Sequence, residues 1–237
     1  MTETPGVIGL LLVGSAARGE MSENSDWDFV AVIDDGVPWP KPFRDGGRES
    51  FQGPDGRQVE INYRTLSSLR GWTEEQAGQG VSAFAEMLGE GSPVGLQSPA
   101  VGALQDWARA ILESGPPPLA SSDLAWRCYE IWNQVKDVED TLTADEVTSY
   151  YLAQAPFWGL TTLLIRLSGT WLPRPKAVFA RVRDLDPEFF EIAQSCAVAT
   201  TAGARYRALS EMMSRLAERF GLDFAAYYTS PPEIRES

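Results

Sequence analysis

The stretch VIGLLLVGSAARGEMSENSDWDFVAVID, residues 7–34, joins two apolar strands through a glycine-serine turn and sets two carboxylates at the head of the second strand. Val7 to Val13 is a run of apolar residues, mostly leucine and β-branched, the pattern of a strand buried on both faces. Gly14 and Ser15 stop it, and a short helix is expected next. In Asp26-Trp27-Asp28-Phe29-Val30-Ala31-Val32-Ile33 side chains alternate between faces, so Asp26 and Asp28 share one face and Trp27 and Phe29 take the other.

Two acids on one strand face repel, and each resists ionising unless a cation sits between them. Mg²⁺ suits such a pair, because it takes hard oxygen ligands, one or two of them protein carboxylates and the rest water or substrate phosphate. The Gly14-Ser15 turn offers backbone N–H groups to a phosphate. Arg18 could reach the same phosphates with its planar fork.

Further along, Arg48 to Gln52 and Gln58 to Tyr63 flank the turn cluster Gly53-Pro54-Asp55-Gly56, which reads as a hairpin. In its second arm Val59, Ile61 and Tyr63 share one face, while Glu60 and Asn62 share the other.

The run Gly14-Ser15-Ala16-Ala17-Arg18-Gly19, followed by Ser25-Asp26-Trp27-Asp28 in a hydrophobic strand, resembles the signature of the polymerase-beta-type nucleotidyltransferase superfamily. Within it the nearest likeness is to the antibiotic (aminoglycoside or lincosamide) nucleotidyltransferases and the minimal nucleotidyltransferases. One departure is that relatives usually carry a helix before the first strand, where this sequence has only Met1 to Gly6. The resemblance implies an α+β fold: a small mixed β-sheet nucleotidyltransferase domain with flanking helices, followed by a C-terminal all-helical domain. It implies that Glu60 is the third acid, completing a metal site with Asp26 and Asp28. The expected reaction is transfer of a nucleoside monophosphate, as AMP from ATP or from another nucleoside triphosphate, to a small hydroxyl-bearing acceptor with release of pyrophosphate. Two Mg²⁺ ions would be held by the three acids, and Gly14, Ser15 and Arg18 would clamp the phosphates. A homodimer whose partner completes the acceptor pocket is also implied.

Composition narrows the partners. Net charge is −13 with a pI near 4.5, which argues against a nucleic-acid polymer, since its binders carry a basic footprint. An acidic surface attracts cationic small molecules such as aminoglycosides, or simply confers solubility. The chain has no histidine, excluding His-dependent triads and His-ligated metals. Cys128 and Cys196 are too few for a disulfide framework and read as buried thiols. No apolar stretch is long enough for a membrane span, and the first apolar run lacks a basic leader, so a cytoplasmic location is expected.

After Ile33 the proline-rich segment 37–42 reads as a loop. From Thr65 helical patterns take over: Trp72 or Thr73 to Leu88, then Pro99 to Ser114, which stops at Gly115-Pro116-Pro117-Pro118. That proline run suggests two domains, 1–115 for nucleotidyl transfer and 119–237 for binding the acceptor, with a second candidate boundary near Thr65. A helix capped by Ser122 or Asp123 runs to Leu142, a capping box at Thr143 to Glu146 opens a helix to Ser168, and Asp186 caps the next from Pro187. Ala202 to Phe220 forms the last helix, closed by Gly221, and the tail from residue 230 reads as frayed. Trp126, Tyr129, Trp132 and Tyr150 stand at helical spacing and are expected in the core rather than as a stacking platform.

The basic loop Pro173-Arg174-Pro175-Lys176 resembles a Pro-Lys stretch in helical domains of some antibiotic nucleotidyltransferases, which would bring Lys176 to the triphosphate; equally, Pro175 simply starts a helix. In such relatives a helical-domain glutamate can be the base, and Glu130, Glu139 and Glu146 are candidates. A P-loop is excluded, because Glu20-Met21 follow Gly19 where lysine and a hydroxyl residue are required. The alternative from another class is a regulatory or antitoxin-like protein of the same fold that binds nucleotide or a protein partner.

Overall fold

The computed structural model describes residues 6–37, 47–95 and 97–226; most of the expected proline-rich loop and the tail from residue 230 lie outside these. The chain divides into two compact units, Met1–Pro117 and Pro118–Ser237. The first carries a mixed sheet with helices and the second is helical, so the fold is α+β.

The first unit runs β1 (Val7–Val13), α1 (Gly14–Ala17), β2 (Trp27–Ile33), β3 (Gly47–Gln52), β4 (Gln58–Thr65), α2 (Leu66–Gly78), α3 (Ala83–Gly89), β5 (Ser92–Pro93) and α4 (Pro99–Ser114). The sheet order is β3-β4-β2-β1-β5. β1 and β2 are antiparallel, while β2 and β4 are parallel and set Asp28 opposite Glu60. The expected hairpin closes β3 onto β4.

β1 departs from its sequence pattern. Leu11 and Val13 are fully packed beneath Leu69, Leu88, Val101, Leu104 and Ala108 of α2, α3 and α4, whereas Leu10 and Leu12 on the opposite face are only partly buried. Helices cover one face of the strand, so the uniform apolar run overstates its burial. On the other face Leu10, Phe29, Phe51, Val59 and Ile61 line a shallow apolar cavity of about 490 Å³.

β5 lies between the expected helices that end at Leu88 and begin at Pro99, where the sequence pattern predicts no strand. Two residues carry too little pattern to register, and Pro93 is tolerated because the strand is at the sheet edge. Beyond it the Gln97 side chain continues the ladder, accepting from Leu10 N (3.2 Å) and donating to Leu10 O (3.0 Å). Helix α2 also starts earlier than periodicity suggests, because the Thr65 hydroxyl caps it by accepting from Ser68 N, and the predicted segment to Leu88 is two helices.

The second unit runs α5 (Ser121–Thr141), α6 (Glu146–Leu152), α7 (Gln154–Leu167), a single 3-10 turn at Pro175–Ala177, α8 (Val178–Leu185), α9 (Pro187–Val198) and α10 (Ala202–Phe220). The expected single helix to Ser168 is broken at Ala153: Pro156 has no N–H for the Leu152 carbonyl, and its ring crowds that group. Asp145 caps α6 by accepting from Thr148 N (3.1 Å), where a capping box had placed Thr143. Cys128, Ile131, Val135 and Val138 of α5 pack with Leu160 and Leu164 of α7, Phe189 of α9 and Leu209, Met212 and Leu216 of α10.

Both cysteines are buried and unbridged; burial pushes their thiols up to about 11. The aromatic stripe is shallower than expected. Trp126 is 50% exposed and lies tilted against Tyr129, which stacks on Trp132, because the aliphatic positions of α5 already fill the core. No helix among the described residues is long and apolar enough to cross a membrane.

Candidate active site

Asp28 sits near the start of β2 and Asp26 just ahead of it, two residues apart and therefore on one side of the sheet. The parallel pairing of β2 with β4 then brings in Glu60 from a residue 32 positions away. One carboxylate oxygen from each of Asp26, Asp28 and Glu60 lies within 4.8 Å of the other two, and all three side chains are partly buried.

Hard oxygen donors at this spread fit a divalent ion. Ligands about 2.1 Å from an octahedral Mg²⁺ lie roughly 3–4 Å apart, so a small rotation of each side chain closes the set around one ion. Three carboxylates this close also favour a cation beside them on electrostatic grounds.

The Gly14 turn is built against the same acids. Val13 pairs with Asp28 across β1 and β2, and Gly14 follows with φ +70°, a left-handed conformation. A Cβ there would come 2.7 Å from Asp28 Oδ2, so glycine is required both for backbone strain and for room beside the carboxylate. Ser15 is in the first turn of α1, and its carbonyl accepts from Glu20 N (2.9 Å).

Arg18 is held by acids: its Nε donates to Glu20 Oε2 (2.9 Å) and its Nη1 lies 3.6 Å from Glu90 Oε2. Reaching a phosphate would require exchanging these partners. Lys176 is an exposed residue of the 3-10 turn in the second unit. Of the three helical glutamates, Glu139 is occupied by Lys136 at 2.5 Å and held below the usual carboxylate range, first by that hydrogen bond and then by one from Tyr206.

Two groups of contacts escaped the sequence reading. The segment ahead of Asp26 is tied to the β4 end of the hairpin, since Arg57 Nη1 donates to Ser22 O (2.8 Å) and Ser25 O (3.1 Å). Trp27 Nε1 donates to Asp55 Oδ2 (2.9 Å), which with the backbone N–H of Arg57 holds that carboxyl below its ordinary value. The hairpin thus braces the start of β2 from the opposite face. The second is Arg48 of β3, which pairs with Glu60 Oε1. Its signal was present in the hairpin register: Arg48 faces Asn62 and Ser50 faces Glu60, so Arg48 is a diagonal neighbour of the acid.

Residues 2–81 match the family model described as a nucleotidyltransferase domain. A search of curated proteins gives no match. Among solved structures, a nucleotidyltransferase-like protein from Exiguobacterium sibiricum 255-15 is similar, with a TM-score of 0.54 and 12% identity over 98% of this chain and 76% of that one. At that identity the likeness concerns the fold alone. The acids beside the glycine turn and the match over residues 2–81 lead to one conclusion: the chain carries a nucleotidyltransferase domain of the polymerase-beta-type superfamily.

Proposed function

We propose that the protein is a cytoplasmic, Mg²⁺-dependent enzyme that transfers a nucleoside monophosphate, AMP from ATP in the simplest case, to a hydroxyl of a small acceptor such as an aminoglycoside-like antibiotic. The observation that carries this reading is the convergence of Asp26, Asp28 and Glu60 beside the Gly14 turn. In the reaction the acceptor oxygen forms a bond to the α-phosphorus, the bond to the bridging oxygen breaks, and pyrophosphate leaves with the electron pair.

Asp26, Asp28 and Glu60 would hold two divalent ions, which supply charge stabilisation at the attacking and leaving oxygens. Glu60 faces the acceptor side and receives the hydroxyl proton, directly or through water. Gly14 and Ser15 orient the triphosphate, and Arg18 joins them by leaving Glu20 and Glu90. Lys176 is a further candidate ligand of the triphosphate, and a helical-domain glutamate is a candidate base. Positioning is most of what a protein contributes to such a transfer. The cationic acceptor class is supported by the net charge of −13.

The test is incubation of the purified chain with α-labelled ATP, Mg²⁺ and a panel of aminoglycosides, lincosamides and protein acceptors. Label transferred to a small acceptor, with pyrophosphate released in equal amount and lost in D28N, is expected. Transfer to a protein, or Mg²⁺-ATP binding without transfer to anything, overturns it in favour of a regulatory role.

A further inference from the structure

Arg48 stands on the edge strand β3 with its side chain 59% exposed, yet it reaches inward across the strand pair to Glu60, whose side chain is only 15% exposed. Its guanidinium is made still more basic, first by the hydrogen bond and charge of Glu60 and, more weakly, by Asp28 and Asp26. An exposed arginine gains little from an isolated surface pair. Here it sits on a carboxylate of the acid cluster, and so puts a positive charge where a divalent ion would bind.

A guanidinium and a metal ion on the same carboxylate repel each other, so the two compete electrostatically. We infer that Arg48 is a positioning residue that holds Glu60 in the metal-free site and gives it up when a nucleoside triphosphate arrives carrying its own divalent ion. The triphosphate supplies the displaced guanidinium with a new anionic partner. Free metal alone offers no such partner and therefore binds weakly. Metal and nucleotide are thereby coupled, and the coupling acts equally in both directions. This deepens the proposed function and rests on its metal site, but not on the identity of the acceptor or on transfer taking place.

The test is Mn²⁺ binding to the full chain, read by electron paramagnetic resonance, with and without the non-hydrolysable analogue α,β-methylene-ATP. Without nucleotide, R48Q is expected to bind Mn²⁺ about tenfold more tightly than wild type, the scale of losing one charge-assisted competitor. R48K, which keeps the charge, is expected to stay within about threefold of wild type, and thermal melts check that both fold. The analogue should tighten Mn²⁺ binding more in wild type than in R48Q. In an E60Q background the R48Q effect should largely vanish, as a double-mutant cycle requires of a direct pair.

Mn²⁺ binding to R48Q no tighter than to wild type, or a tenfold effect that persists in E60Q, overturns the inference. Transfer activity with an unaltered Mn²⁺ affinity in R48Q leaves the proposed function standing without it. Tighter Mn²⁺ binding in R48Q with no transfer to any acceptor does the reverse.

Discussion

In the first unit three carboxylates crowd within 4.8 Å of one another with the exposed Arg48 paired to one of them, whereas in the second Asp186 is 2% exposed and is surrounded by donors. Asp186 accepts from Arg215 Nη2 and Arg219 Nη1, both at 2.7 Å, and from Phe189 N at 3.0 Å, capping α9 and tying it to α10. Burial pushes that carboxyl up, but the Arg215, Phe189 and Arg219 hydrogen bonds outweigh it and hold it at about 2. Acids that converge on one point have the geometry of a cation site. An acid matched donor for donor is explained by the fold it stabilises.

That contrast can be broken most directly at Asp28. D28N is expected to lower nucleotidyl transfer by about 10³-fold or more, the scale of losing a metal's charge stabilisation, while the melting temperature holds or rises because repulsion is relieved. Initial-rate assays beside thermal melts would show it; a large loss of stability would make Asp28 a structural acid like Asp186.

D186A should do the opposite. It is expected to cost about 3 kcal/mol by stranding Arg215 and Arg219 and removing a helix cap, as read by chemical denaturation followed by helical circular dichroism. Little change would mean that the helical core around Phe189, Leu209 and Met212 needs no such tie.

Titration sharpens the same point. A carboxyl lowered from 3.8 to about 2 contributes stability that is complete above pH 3.8 and is lost as the pH falls toward 2, in total about 2 kcal/mol. Acid unfolding of wild type against D186N measures this, since the amide variant lacks that proton-linked loss. An identical pH dependence in the two proteins would remove Asp186 from the account.

The smallest expected effect is at Arg57, which ties Ser22 and Ser25 and so sets the approach of the chain to Asp26. R57A is expected to weaken Mn²⁺ binding about tenfold with little change in melting temperature, since the lost bonds are at the surface. Unaltered metal affinity would show that the strand alone positions Asp26.

Much of this was legible along the chain. Alternation put Asp26 and Asp28 on one face, and the Gly14-Ser15 turn ended β1 where the acids need room. Proline and glycine bounded α4, Asp186 capped α9, and Gly221 ended α10 in a left-handed cap. Each of these follows from steric or hydrogen-bonding preferences within a few residues, which a sequence states outright.

Tertiary structure alone decided the reach of Arg48 to Glu60 and the one-sided burial of β1, and it made the meeting of Glu60 with Asp28 that only the family resemblance implied. The parallel pairing of β2 with β4 passes over β3, which intervenes in the chain, and a strand carries no local mark of which neighbour it will take. Likewise an apolar run shows that a strand is suited to burial, but which of its faces is covered depends on where α2, α3 and α4 come to rest. Local chemistry therefore determined the pieces and the turn, and long-range packing, where many distant contacts must be satisfied together, determined which charges face one another.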